Sequence, residues 1–69
     1  MNRLLPGTIL VKLKKDDDRM KLKKGDLLIV KPYYYDPSSK YTVIKRVGDD
    51  FDPRCNVYRY EVEVVLVGK

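Results

Sequence analysis

Apolar residues in this chain never recur at helical spacing over a useful length. They come in short β-branched and aromatic runs, each cut off by glycine, proline or aspartate. No other feature narrows the fold as far, because such side chains fit a pleated, half-buried surface and strict alternation puts every second residue on one face. Residues 57–67 (VYRYEVEVVLV) carry the longest alternation: Tyr58, Tyr60, Val62 and Val64 are expected on a core face, with Arg59, Glu61 and Glu63 outward. Residues 8–13 (TILVKL) and 41–47 (YTVIKRV) read as further strands. Residues 27–31 (LLIVK) form a continuous apolar run, the pattern of a central strand covered on both faces, and Pro32 stops it because proline donates nothing to a ladder.

The connections between these runs have their own chemistry. Residues 14–24 (KKDDDRMKLKK) form a charged excursion in which Asp16, Asp17 and Asp18 suit a turn, since short carboxylates bond nearby amides, while Met20 and Leu22 tuck inward. Asp36-Pro37-Ser38-Ser39, within the loop YYYDPSSK, has the composition of a type I turn with proline at its second position. Gly48-Asp49-Asp50 makes another turn, and Pro53 excludes a central strand from the irregular piece FDPRCN. The reading is an all-β chain, one domain over residues 1–69, with four to five antiparallel strands that must close or curl to hide their edges.

Composition bounds the function. A chain of 69 residues buries about 60% of the surface its unfolded form exposes. The 43% of hydrophobic residues suffices for one core and excludes disorder. The single cysteine, Cys55, makes an internal disulfide impossible, and with no histidine present it builds no zinc site. A small domain without disulfide staples is expected in a reducing cytoplasm. Pro6 and Gly7 break the opening apolar run, which does not read as a signal peptide, and no stretch approaches the ~20 apolar residues of a membrane span. The net charge of +5 favours anionic partners.

Lys21-Leu22-Lys23-Lys24-Gly25-Asp26, opening onto Leu27-Leu28-Ile29-Val30, resembles a feature of SH3-like small barrels, in which a basic diverging turn ends in Gly-Asp before a hydrophobic second strand. The order of strand, long arm, strand, loop, strand, tight turn and strand resembles that architecture over roughly residues 8–65. The resemblance implies a small SH3-like barrel acting as a binding module. The YYYDP loop and the short length also look like small phage- or prophage-encoded barrel proteins. The tryptophan pair of eukaryotic signalling SH3 domains is missing, so proline-rich peptides are not the implied ligand.

Two candidate surfaces follow. Tyr33, Tyr34 and Tyr35, with Lys40, Tyr41 and Arg46, make an aromatic-basic set suited to a protein hot spot, and in an extended segment Tyr34 points opposite to its neighbours. Lys12, Lys14, Lys15, Lys21, Lys23 and Lys24 converge on the first excursion and, with Arg59, make the alternative, a nucleic-acid surface. Arg46 and Arg59 are also candidates to pair with Glu61 and Glu63 across strands. The aspartate runs lack the spacing and glycine of a calcium loop. Cys55 has no base to activate it and reads as a small residue near the core. The expected function is non-enzymatic docking onto a protein, without cofactor, metal or membrane, by a monomer or weak homodimer.

Overall fold

The computed structural model describes residues 4–18, 21–48 and 55–68. Five strands run in chain order: β1 (Ile9–Leu13), β2 (Leu27–Pro32), β3 (Lys40–Arg46), β4 (Asn56–Tyr58) and β5 (Val62–Val67), with a 3-10 turn at Arg59–Glu61 between the last two. They form one antiparallel sheet in the order β4-β3-β2-β1-β5. The chain is therefore all-β, and β4 and β5 are the two edges of an open sheet. No helix among the described residues is long and apolar enough to cross a membrane.

The core lies on one face. Val11 and Leu13 of β1, Leu28 and Val30 of β2, Tyr41 and Val43 of β3, Val57 of β4 and Val62 of β5 are all buried there, joined by Leu22 and Cys55. Two register slips shape the sheet. Leu10 pairs Leu66 while Val11 pairs Val64, so Val65 is extra; Ile29 pairs Lys45 while Val30 pairs Val43, so Ile44 is extra. Each bulge bends its strand and sharpens the local twist.

β2 holds the middle of the sheet, but one face of it is covered rather than two: Leu28 and Val30 are buried, Ile29 is half-buried and Leu27 is exposed. The arm between β1 and β2 is anchored by Leu22, at 1% exposure. Its carboxylates hold its own backbone: the Lys24 amide donates to Asp16 at 2.8 Å, and the Lys23 amide donates to Asp26 at 2.9 Å. Gly25 sits at φ +92°, a left-handed conformation that a side chain would strain, which gives the Gly-Asp turn its physical reason. Met20, Pro53, Arg54 and the aspartates 49, 50 and 52 lie outside the described residues.

The last long alternation is broken. The 3-10 turn inserts three residues between β4 and β5, and the buried positions Val57 and Val62 end up five apart, an odd interval that shifts the phase. Tyr58 and Tyr60 are consequently exposed, and Val64 is nearly half exposed, against their expected place in the core; Glu61 is half-buried and Glu63 exposed. Val62 alone of that set is buried, opposite Leu13. Val62→Ala should therefore destabilise the chain by about 1–3 kcal/mol through lost methyl burial and the cavity left behind. Val64→Ala should stay within about 0.5 kcal/mol, as surface changes do, and chemical denaturation of both variants checks the contrast.

A candidate binding surface of tyrosines and cations

Tyr33, Tyr34 and Tyr35 do not run extended. The Asp36 amide donates to the Tyr33 carbonyl at 3.2 Å, and the amides of Ser39 and Lys40 both donate to the Asp36 carbonyl, so two turns follow one another. The second of them falls where the sequence places it, at Asp36-Pro37-Ser38-Ser39. The first gathers the three rings instead of alternating them. Tyr35 meets Tyr33 edge-to-face at 5.7 Å and Tyr34 edge-to-face at 5.0 Å, both favourable geometries for aromatic quadrupoles. Tyr33 is half-buried, whereas Tyr34 and Tyr35 are 85% and 80% exposed.

The triad continues into a longer strip. The Lys40 ammonium lies 5.8 Å from the centre of the Tyr33 ring and 5.1 Å from that of Tyr58, bridging the loop to the end of β4. Tyr58 stacks on Tyr60 at 5.2 Å with 20° between planes, and the Lys15 ammonium lies 6.0 Å from the Tyr60 centroid. The 3-10 turn makes this possible. The Tyr58 amide donates to the Glu61 carboxylate at 2.9 Å, the Arg59 amide donates to the Ser39 carbonyl at 2.9 Å, and the Lys14 amide donates to the Glu61 carbonyl at 2.9 Å. One short turn thus ties the tyrosine loop, β4 and the arm after β1 together, and it aims Tyr58 and Tyr60 outward.

The remaining expected site residues divide. Tyr41 is only 2% exposed and belongs to the core, not to a contact surface. Arg59 places its guanidinium 4.9 Å from the Tyr41 ring centre and donates to the Pro37 carbonyl at 3.3 Å, bracing the loop. Arg46 lies away from the strip: it forms an ion pair with Asp26 at 3.6 Å and reaches the Lys21 carbonyl. Arg46 lies opposite Leu28 in the ladder and Arg59 lies in the 3-10 turn, so neither occupies the cross-strand position beside Glu61 or Glu63 read from the sequence. Lys12, Lys14 and Lys24 share an open notch of about 440 Å³ with Leu13, Gly25 and Glu63, whereas Lys21 and Lys23 are exposed along the arm and do not line it. Cys55 is buried against the core.

Tyr58 and Tyr60 are the members of the strip that sequence reasoning did not assign to a binding surface. Alternation hid the two tyrosines. No local signal marks the turn that exposes them, because residues distant in sequence, Lys14 and Ser39, hold it. Comparison with family models, with curated proteins and with solved structures finds no match for this chain.

Proposed function

We propose that this chain is a small SH3-like barrel of the phage-encoded kind that works as a non-enzymatic binding module, docking onto another protein through the tyrosine strip. The barrel part of the reading is supported by connectivity. β1 pairs with both β2 and β5, two bulges bend strands of the sheet, and a single three-residue turn joins the two edge strands.

The observation that carries the docking reading is how the cations are used. Lys40 and Arg59 sit over rings and brace loops, so they hold a preformed aromatic platform rather than extending charge toward phosphates. A rigid tyrosine surface buries large area on binding at little ordering cost, which is the chemistry of protein hot spots.

The test is capture of the partner from source-cell lysate with and without nuclease, followed by affinity measurement. Capture is expected to survive nuclease. Tyr34→Ala should weaken the purified complex by about 2 kcal/mol, roughly thirtyfold, and leave the melting temperature unchanged because the ring is exposed. The notch of Lys12, Lys14 and Lys24 supports the second reading, nucleic acid. Nuclease-sensitive capture, an affinity that falls steeply with salt, and loss on Lys14→Glu but not on Tyr34→Ala would move the function there.

A further inference from the structure

We propose that β5 is a self-association edge, pairing antiparallel with β5 of a second copy across a two-fold axis. Among the described residues, β5 has β1 as its single neighbour in the sheet, and its outer backbone edge is unpaired. Edge strands that stay monomeric are shortened, bulged, covered by another element, or carry charges or proline. The opposite edge, β4, is three residues long and runs straight into the 3-10 turn. β5 is six residues long (VEVVLV) and contains no lysine, arginine, proline or glycine, and, Glu63 aside, the bulge at Val65 is the one edge-blunting feature it carries.

Its side chains call for a strand rather than a lid. Val64, Val65, Leu66 and Val67 are 47%, 51%, 50% and 52% exposed, nearly uniform along the strand. Past the bulge at Val65, the successive residues Leu66 and Val67 point to opposite faces, so both flanks of the edge are half bare. A layer packed on one face would leave the other flank wet. A strand laid alongside covers both and satisfies the backbone groups at the same time.

Charge selects the occupant. The chain carries +5, yet β5 holds a single charge, Glu63, and that is negative. Two positive molecules therefore meet at this edge without apposing their lysines, and an anionic polymer is not matched to it. With Val65 opposite Val65 of the second copy, a register that a two-fold axis normal to the sheet allows, the two Glu63 carboxylates lie about 14 Å apart along the strands, at ~3.4 Å per residue. Each stays beside Lys12 of its own chain, its register partner on β1. The same patch serves both copies, so the interface closes on itself as a dimer.

Sedimentation velocity over micromolar to millimolar concentration, together with amide hydrogen exchange on the unsubstituted chain, tests this. A monomer–dimer equilibrium is expected, indifferent to salt. Val65→Lys should raise the dissociation constant by about tenfold or more, since a charged edge residue opposes strand addition. The β5 amides should gain protection at dimer-forming concentration while the tyrosine-loop amides do not, a readout that does not depend on the variant folding. A chain that stays monomeric throughout, open-ended growth beyond a dimer, an equilibrium untouched by Val65→Lys in a folded variant, or no gain of β5 protection would each overturn the proposal.

Discussion

Tyr41→Ala should leave the chain largely unable to hold its fold. Tyr41 is the largest of the fully buried side chains, and it lies on β3 with Pro32 of β2 on one side and Val57 of β4 on the other. Truncating a buried aromatic residue costs about 3–5 kcal/mol. A domain of this length has a total stability of roughly 3–10 kcal/mol, at the usual ~0.05–0.15 kcal/mol per residue. The substitution also removes the ring beneath the Arg59 guanidinium and so loosens the brace to Pro37. Urea denaturation followed by circular dichroism should show the midpoint collapsing toward zero, with the cooperative transition lost or nearly so. A variant that melts at the unsubstituted midpoint but no longer binds its partner would return Tyr41 to the surface.

That residue marks where the sequence is readable and where it is not. Val11 and Leu13 were legible because β1 obeys the two-residue period; β2 and β3 also bury alternate positions, Leu28 and Val30, and Tyr41 and Val43, but the continuous apolar run of β2 read as covered on both faces and Tyr41 read as a contact residue. Asp36-Pro37 and Gly25-Asp26 were legible because each turn demands a particular backbone, and φ +92° at Gly25 is such a demand. Leu22 stood out as one of the few apolar residues in a charged arm. The site was harder. Tyr58 and Tyr60 satisfy the alternation of a strand, yet the turn at residues 59–61 is held by bonds from Lys14 and to Ser39, residues far away in sequence. Local pattern carries no trace of such partners. The tyrosine triad failed for a similar reason: alternation assumes extended backbone, and the Asp36 amide bond to Tyr33 curls it. Lys40 could be named from composition, but its place between two rings depends on β3 and β4 being neighbours.

Lys40 also divides the strip into two halves, and the double variant Tyr35→Ala with Tyr60→Ala should weaken partner binding more than any single change. Tyr35 contacts both other rings of the triad, whereas Tyr60 stacks on Tyr58 beyond Lys40. Neither ring touches the other, so their effects should add, as they do for sites without shared partners. A central aromatic hot spot is worth about 2 kcal/mol or more, so the pair should cost about 4 kcal/mol, near a thousandfold in affinity. Stability should barely move, because Tyr35 and Tyr60 are 80% and 67% exposed. Titration of both single variants and the double against the captured partner, with melting curves on the same samples, reads every arm of this cycle. Additivity means one partner surface spans the loop, Lys40 and the 3-10 turn together. If the double variant is no weaker than one of the singles, the partner covers only that half of the strip, and the other half serves the fold or a different contact. If affinity holds in all three while the chain stays folded, the strip is not the docking surface. The lysine notch beside Glu63 then inherits the role, with Lys14→Glu as the variant that must fail.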